Sequence, residues 1–451
     1  MEGSPFSITV PEAVAQVRTR NGSLNAYINT RLDAALTDAE QRATEPPRSP
    51  LHNVPFGLKD EWETLDLPTT GGSYRHRDRQ SPNNSIVFDQ FDQAGAVLIG
   101  KTNLSDLGLA PESANHLIGP TRNPWDQTRT AGGSSGGAAA AVATGMQGFD
   151  WGTDIGGSIR QPAAFCGILG MRLASETWPL HDSFPVIPRP LSWMCGQGPL
   201  TRTTEQMRAV LEIAAPRLRT GPSRSFQPRV AMLYAPESLG QWPTFVADVT
   251  PHLETAFDAS VHRNHGLPKA TRIRNIYSAV WASHLEDLVE ADPTLTLTSA
   301  LTASVSALLL GPQRGDRRIH PQCAKLLVLM ALGRVTIFHN RKRAMQGAHL
   351  VRDQFRALWD QGYVVVAPAS PLPASLHGNG NRDHAEVLFC TAPGNLADAT
   401  GLSIPFGRFG TMPRSLQLMG PPGSETALLD LADRLISSRD ADPALTPQPW
   451  P

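Results

Sequence analysis

The chain has 451 residues, of which 40% are hydrophobic and 18% charged, a composition that excludes an intrinsically disordered protein. Its formal net charge of −1 gives no electrostatic surface for nucleic acid or for an anionic membrane. No run of about 18 apolar residues predicts a membrane span. The four scattered cysteines are typical of reduced core thiols. We therefore expect a cytoplasmic protein that binds neither nucleic acid nor membrane.

The N-terminal hundred residues predict helices that alternate with short buried strands. Residues 11–45 carry apolar side chains at helical spacing and predict two surface helices. The apolar run 54–58 predicts a buried strand that ends in Lys59. Residues 85–94 predict a helix, and residues 96–99 predict a second buried strand. This alternation is typical of an α/β protein.

Residues 95–102 match the G-x-x-x-x-G-K-[ST] pattern of a phosphate-binding loop. Such a loop lies between a strand and a helix, with its backbone amides exposed to the phosphates. Here the four intervening residues are Ala, Val, Leu and Ile, which belong inside a sheet. We therefore do not interpret this segment as a nucleotide site.

Two glycine-rich turns, 132–137 and 152–160, flank an alanine-rich run over 138–146 that predicts a helix. Glycine lets backbone amides approach a ligand closely, and consecutive amides form a cup that can hold an oxyanion. The turns contain Ser134 and Ser158, respectively. The pair of turns is the strongest candidate for a functional site in this sequence.

The remainder of the chain shows no linker, and we expect a single domain over residues 1–451. The catalytic core of this domain would span about 50–205. A helical elaboration would follow over about 206–360, and residues 361–440 would return to the core. The predicted elements are a long loop over 174–197, a helix from Thr203 to Ala215, strands over 229–234, 363–367 and 402–406, mostly helical sequence over 323–360, and a closing helix over 425–437.

A serine hydroxyl is a poor nucleophile until a base takes its proton. Residues 132–136 fit the G-x-S-x-G elbow of α/β-hydrolases, but that elbow needs a strand directly before it, and residues 123–130 have a loop sequence. The alternative combines Lys59 as base with Ser134 and Ser158, one serine relaying the proton of the other. The residue pattern alone does not establish that these three side chains meet.

The sequence resembles the amidase signature family over roughly residues 10–440. The resemblance rests on the segments Gly57–Asp60, Gly95–Asn103, Gly119–Trp125, Gly132–Gly137 and Gly152–Gly167, and on the C-terminal stretches Thr391–Leu396 and Leu416–Gly420. It implies an α/β fold in which a central mixed β-sheet is covered on both sides by α-helices. It also implies an amidase that needs no metal and no organic cofactor.

Carried over residue by residue, the resemblance implies a serine–cis-serine–lysine triad that works through an acyl-enzyme intermediate. Ser158 would be the nucleophile, Ser134 the bridging cis-serine and Lys59 the base. The backbone amides of the oxyanion hole would come from Ile155, Gly156 and Gly157. Supporting roles in bracing these turns would fall to Ser135, Asp154 and Arg160.

The substrate cannot be carried over, because Ala114 before Asn115 and the segment 174–197 depart from the family pattern. Within that segment, Trp178, Phe184, Trp193 and Met194 predict at least one apolar wall of the acyl pocket. We therefore expect a small, apolar acyl or aryl amide as substrate, bound by a monomer or homodimer. The alternatives are an amidotransferase A subunit that supplies ammonia to a partner, acyl transfer to an amine, and a non-catalytic descendant.

Overall fold

The computed structural model describes residues 4–180, 182–221, 226–234, 242–263, 267–314, 318–336 and 340–442. The helices of these residues are α1 Val10–Leu24, α2 Leu32–Ala43, α3 Ile86–Gln93, α4 Gly136–Ala143, α5 Arg160–Cys166, α6 Arg189–Ser192, α7 Thr204–Leu218, α8 Trp242–Phe257, α9 Ala270–Ser283, α10 Leu285–Glu290, α11 Leu297–Arg314, α12 Pro321–Thr336, α13 Arg341–Asp360, α14 Gly380–Ala397 and α15 Glu425–Asp440. The strands are β1 Tyr27–Thr30, β2 Pro55–Lys59, β3 Val97–Thr102, β4 Phe149–Asp154, β5 Leu169–Arg172, β6 Gly196–Thr201, β7 Val230–Leu233, β8 His262–Arg263, β9 Tyr363–Pro368, β10 Thr400–Phe409 and β11 Met412–Gly420.

These strands form one mixed sheet in the order β1-β3-β2-β4-β6-β5-β10-β11-β9-β7-β8. Strand β2 pairs in parallel with both β3 and β4, and β7 pairs in parallel with β8 and β9. The strands between these two groups pair antiparallel, with β10 and β11 forming the longest ladder. Because β2 and β4 are parallel neighbours, their carboxyl ends lie side by side at one edge of the sheet.

Helices cover both faces of this sheet, as the residue alternation within β9 illustrates. Val364 and Val366 pack with helices α7, α8 and α15 on one face. Val365 and Ala367 pack with helices α9–α14 on the other. Since successive side chains of a strand point to opposite faces, a strand buried on both sides needs such a continuous apolar run. The fold class predicted from the sequence is confirmed.

Most predicted elements are present, with differences where the apolar pattern is short. The two helices expected over 11–45 are α1 and α2, but strand β1 lies between them. Residues 97–102 form the buried strand β3, which leaves no exposed phosphate loop there. The long loop over 174–197 contains the short helix α6. Residues 1–3 and 443–451 of the expected single domain lie outside the described residues.

Close backbone packing brings the first glycine-rich turn against the sheet edge. A Cβ atom on Gly137, in the first turn of α4, would lie 2.3 Å from the backbone nitrogen of Asn103 and 2.4 Å from the carbonyl oxygen of Ala26. Only glycine fits there without displacing backbone. Helix α4 therefore begins against β3, and the turn preceding it is held close to the carboxyl end of β2.

No helix among the described residues is both long enough and apolar enough to cross a membrane.

Candidate active site

Lys59 is the last residue of β2, and its side chain is completely buried. Its Nζ donates to Ser134 Oγ at 2.8 Å and to Thr153 Oγ1 at 2.9 Å. The backbone N–H of Lys59 donates to the Asp150 carboxylate on the neighbouring strand β4. Residues 75 positions apart in the chain are thus joined by one short hydrogen bond, which brings the first two members of the predicted triad together.

A carboxylate also contacts this lysine. Glu61 Oε2 lies 3.2 Å from Lys59 Nζ, and the Glu61 side chain is only 9% exposed. Its other oxygen, Oε1, is buried and has no hydrogen-bond partner among the described residues. Glu61 is therefore a buried carboxylate in direct contact with the amine of Lys59. Sequence reasoning missed both Glu61 and Thr153, since neither stands out by type or spacing.

The turn before α4 presents Ser134, which is 1% exposed and follows a cis peptide bond after Gly133. The Ser113 hydroxyl anchors this turn from both sides. It donates to the carbonyl oxygen of Ser134 at 2.8 Å and accepts from the backbone N–H of Gly136 at 2.8 Å. The Ser134 hydroxyl is thereby held facing Lys59.

The second turn carries Ser158 between β4 and α5. The backbone N–H of Ser135 donates to the carbonyl oxygen of Ser158 at 3.2 Å, which ties the two turns together. The Ser158 side chain lines a cavity, and its hydroxyl forms no hydrogen bond with another described residue. Hydrogen bonds of catalytic groups are commonly loose before substrate binds. Ser158 therefore faces the cavity, whereas Lys59 and Ser134 are buried and do not line it.

The three residues predicted for an oxyanion hole differ in what their amides do. The backbone N–H groups of Ile155 and Gly156 form no hydrogen bond within the described residues, and both residues line the same cavity as Ser158. The N–H of Gly157 instead donates to Asp154 Oδ1 at 2.8 Å. Gly157 does not line the cavity, so two of the three amides are available to a ligand there.

Asp154 and Arg160 form a buried ion pair beneath this turn, at 2.9 Å. The Arg160 guanidinium also donates to Asn395 Oδ1 on α14 and to Gln417 Oε1 on β11. Burial alone would raise the pKa of Asp154, but the Arg160 charge and its hydrogen bonds hold that pKa well below its usual range. Through these hydrogen bonds the ion pair fixes the turn to helix α14 and strand β11, which are distant in the chain.

Ser135, the third residue given a supporting role, is fully buried, and its hydroxyl has no hydrogen-bond partner among the described residues. A Cβ atom on Gly152 would lie 2.9 Å from Ser135 Oγ. The contribution of Ser135 to the site is therefore the packing of the two turns and the backbone bond to Ser158.

A cavity of about 270 Å³ opens at Ser158 and is called the Ser158 cavity below. Its walls come from the loop 108–111, from the two turns, and from one face each of α9, α12 and α14. No Asp, Glu, Lys or Arg of the described part of the chain lines it. The helical wall consists of Tyr277, Ser278, Trp281 and Ala282 on α9, Leu326, Leu329, Met330 and Gly333 on α12, and His384 and Leu388 on α14.

The loop over 174–197 does not supply the wall that the sequence predicted, and that prediction was wrong. None of Trp178, Phe184, Trp193 and Met194 lines the Ser158 cavity. Trp178 is buried in the core and donates to Glu425, while the ring of Trp193 lies under the Arg352 guanidinium. Aromatic residues on a loop also serve to cover a core, and here they do.

The chain matches the family model described as Amidase over residues 9–429. The glutamyl-tRNA(Gln) amidotransferase A subunit of Chromohalobacter salexigens is 28% identical over 466 aligned positions, covering 95% of this chain and 92% of that protein. The peptide amidase of Stenotrophomonas maltophilia has the same fold with a TM-score of 0.74 at 22% identity, over 98% of this chain and 94% of that chain. A bacterial aryl acylamidase gives 0.74 at 20% identity, over 95% and 92%. Since the family model spans nearly its whole length, this chain belongs to the amidase signature family.

Proposed function

We propose that this protein is an amidase that hydrolyses the C–N bond of a small, apolar acyl or aryl amide. The observation that carries the proposal is the 2.8 Å contact between Lys59 Nζ and Ser134 Oγ, next to a cavity that Ser158 lines. A buried base, a relaying hydroxyl and an accessible hydroxyl are the parts that serine-based acyl transfer requires. Ser158 is the proposed nucleophile because its hydroxyl alone among the three groups is accessible from the cavity.

The proposed reaction begins when Lys59, in its neutral form, accepts the proton of Ser134. Ser134 takes the proton of Ser158 as the Ser158 oxygen attacks the amide carbonyl. The carbonyl oxygen becomes an oxyanion, and the free N–H groups of Ile155 and Gly156 donate to it. Losing one such donor typically costs about 3–4 kcal/mol in the transition state.

The tetrahedral intermediate then collapses, and the C–N bond breaks. The proton held by Lys59 returns through Ser134 to the leaving nitrogen, which departs as ammonia or an amine. Water then attacks the resulting ester and loses one proton to the same relay. The ester C–O bond breaks, the carboxylic acid departs, and the proton returns through Ser134 to the Ser158 oxygen. The supporting residues Ser135, Asp154 and Arg160 hold the turns in place and take no proton.

The walls of the Ser158 cavity support an apolar acyl group. Leu326, Leu329, Met330 and Leu388 present aliphatic side chains, and Trp281 presents a large ring. A substrate carboxylate or ammonium bound there would be removed from water without a partner of opposite charge, which is unfavourable. This argument supports uncharged amides over glutamine or asparagine.

The amidotransferase alternative draws support from the names of relatives, since similar proteins are named as the A subunit of glutamyl-tRNA(Gln) amidotransferase. Such a protein would take glutamine as its ammonia source. A cavity whose described walls hold no charged side chain fits that substrate poorly, so we place it second. The four cysteines are buried and unpaired, which fits our proposal of a cytoplasmic location.

The test measures ammonia release and acyl-enzyme formation for phenylacetamide, hexanamide, glutamine and asparagine. We expect kcat/KM for the two apolar amides to exceed that for glutamine by at least about 100-fold. Rapid quenching followed by mass spectrometry should find the acyl group on Ser158. Faster turnover of glutamine would support the amidotransferase alternative. Absence of turnover and of acylation with every amide would support a non-catalytic descendant.

A hydroxylamine chase distinguishes hydrolysis from acyl transfer. If the acyl-enzyme reacts with water, carboxylic acid forms at the same rate as ammonia. If an amine is the natural acceptor, added hydroxylamine should divert most of the acyl group to hydroxamate and raise the rate of ammonia release.

A further inference from the structure

The Ser158 cavity contains a polar side chain that the proposed reaction does not use and that has no partner among the described residues. His384 lines the cavity from α14. Its Nδ1 is buried without a hydrogen-bond partner, and neither ring nitrogen bonds to another described residue. A buried polar atom without a partner is unfavourable in a folded protein. It is therefore the natural place to look for a contact with the substrate.

The spacing along α14 gives the position of this histidine relative to the reacting carbonyl. His384, Leu388, Thr391 and Asn395 follow one another at intervals of four, three and four residues, so they share one face of the helix. Asn395 donates to Asp154, and Thr391 donates to the carbonyl oxygen of Gly156 at 2.9 Å. This face therefore runs from the Asp154–Arg160 ion pair, past the turn over residues 155–157 (called the oxyanion turn below), into the cavity.

Leu388 is the residue of this face that reaches the oxyanion turn from the cavity side. Its Cδ2 would lie 3.8 Å from a Cβ atom built on Gly156. The Cα atom of His384 is one helical turn farther along, about 6 Å beyond that of Leu388 and away from the oxyanion turn. A group bound by His384 is therefore separated from the scissile carbonyl by roughly the length of an aryl ring.

The charge state of His384 limits what it can bind. Burial lowers the pKa of His384 to about 4, so the imidazole is neutral at neutral pH. A neutral imidazole offers one N–H donor and one acceptor nitrogen, and gives no charge to balance a carboxylate. A hydroxyl group suits either tautomer, because it can both donate and accept.

The Trp281 indole also lines the cavity, and its buried Nε1 has no hydrogen-bond partner among the described residues, but an indole N–H can only donate. The Tyr277 hydroxyl donates to the carbonyl oxygen of Ile155 at 3.0 Å. Ser158 is the proposed nucleophile. Ser278 follows Tyr277 on α9 and also lines the cavity, so Ser278→Ala serves as the control for His384.

We infer that the acyl group of the substrate is apolar along its length and carries one neutral hydroxyl at its far end, bound by His384. This inference deepens the proposed function and rests on it. His384 is on this view a specificity-determining residue, and the substrate class is a hydroxylated aryl or medium-chain acyl amide.

The test compares 4-hydroxyphenylacetamide with phenylacetamide, which differ only in a hydroxyl about 6 Å from the carbonyl carbon, one helical turn in length. We expect the hydroxylated amide to have about tenfold higher kcat/KM, as one satisfied hydrogen bond would give. In His384→Leu this ratio should fall to about one or below. His384→Gln, which keeps a donor and an acceptor, should restore part of the ratio, and Ser278→Ala should retain it.

A ratio near one in the unmodified enzyme, or a ratio that survives in His384→Leu, would overturn the inference while leaving the proposed function intact. Binding to Ser158→Ala, measured by calorimetry with the same two amides, gives an answer independent of turnover. Tighter binding of the hydroxylated amide that is lost in Ser158→Ala/His384→Leu supports the inference. Equal binding of both amides contradicts it even if the protein hydrolyses neither. A thermal melt of each variant confirms that the fold is retained.

Discussion

The two sides of the Ser158 cavity are built in different ways. On the sheet side, Lys59, Ser134, Asp154 and Arg160 are buried and joined by short hydrogen bonds and ion pairs. On the helical side, the walls from α9 and α12 are mainly apolar side chains. Such bonds suit a catalytic site, whose groups must be held within about 0.5 Å of the productive geometry. The helical side fixes mainly shape and polarity, so it can change without changing the chemistry.

This difference predicts that substitutions on the sheet side abolish the reaction or the fold, whereas those on the helical side redirect specificity. The largest expected effect is at Ser158. Ser158→Ala removes the attacking oxygen, so turnover should fall by about 10⁶-fold, as for other serine nucleophiles. Covalent labelling by a fluorophosphonate, measured by intact mass, should disappear.

Two further variants test whether Ser158 alone is the nucleophile. Ser134→Ala keeps the attacking oxygen but breaks the proton path, so labelling should persist at a reduced rate while turnover falls by orders of magnitude. Ser23→Ala, in the exposed part of α1, should label as the unmodified protein does. Full labelling of Ser158→Ala would instead make Ser134 the nucleophile.

The second effect concerns Lys59. Because its amine must accept the proton in the proposed reaction, replacing that amine should cost about 10²- to 10⁴-fold in kcat. Lys59→Met alone would leave Glu61 buried without its cation, which is destabilising. The better variant is therefore Lys59→Met/Glu61→Gln, with Glu61→Gln as its matched control.

The comparison of these two variants isolates the amine, because both lack the carboxylate. We expect the double variant to lose about 10²- to 10⁴-fold in kcat relative to Glu61→Gln, measured by steady-state kinetics with hexanamide. A folded double variant with more than about half the activity of Glu61→Gln would exclude Lys59 as the base.

The third expected effect is on stability, and it compares an ion pair on the sheet side of the cavity with one on the helical side. Asp154→Asn leaves the buried Arg160 guanidinium without its counter-charge, so the free energy of unfolding should fall by about 3–5 kcal/mol. The same substitution at Asp287, whose pair with Arg341 lies on the helical side and is partly exposed, should cost less than about 1 kcal/mol. Urea unfolding of both variants measures the difference, and equal losses would contradict it.

The fourth effect changes specificity alone. Ala282 is 2% exposed and lines the Ser158 cavity from α9. Ala282→Phe should fill part of the cavity and lower kcat/KM for hexanamide by about 10- to 100-fold, the scale of steric discrimination in apolar pockets. Turnover of acetamide should change by less than about threefold. Equal losses for both amides would mean that the helical side also positions the chemistry.

The same contrast explains where the sequence was informative. Lys59, Ser134 and Ser158 lie in segments whose glycines and short polar side chains are dictated by local backbone geometry, so a local motif singles them out as candidates. Buried strands such as β9 were predictable because they are continuous apolar runs, whereas the central mixed sheet was implied by the resemblance to the amidase signature family. The chain segments from β2 to α5 carry most of this information.

The helical wall was not predictable, because its residues come from three helices distant in the chain and have no common motif. Leu329 and His384 are ordinary residues until α12 and α14 are packed against Ser158. The aromatic loop was a misleading signal, since Trp178 serves the core instead. Helix α14 was also missed, although Thr391 and Asn395 lay in a segment already assigned to the family pattern.

The substitution expected to change activity least lies where the two regions meet, at Asp106. This residue is 2% exposed, and its Oδ2 accepts from the backbone N–H of His320 at 2.7 Å. Burial raises the pKa of Asp106 to about 6, so the folded protein keeps the proton over a pH range in which the unfolded chain has lost it. The stability it contributes is therefore present below about pH 4 and lost as the pH rises through about 6.

Asp106→Asn keeps an oxygen for the His320 N–H and cannot ionise. Relative to the unmodified protein, the variant should therefore gain stability as the pH rises from about 4.5 to about 7.5, by up to about 3 kcal/mol. Urea unfolding at several pH values measures this difference directly. Since the contact joins the core loop to the segment preceding α12, activity on acetamide should be unaffected by the variant at the upper end of that range. Unfolding free energies that differ by a constant amount at every pH would show that Asp106 is ionised throughout, and that the junction between the two regions carries a buried charge.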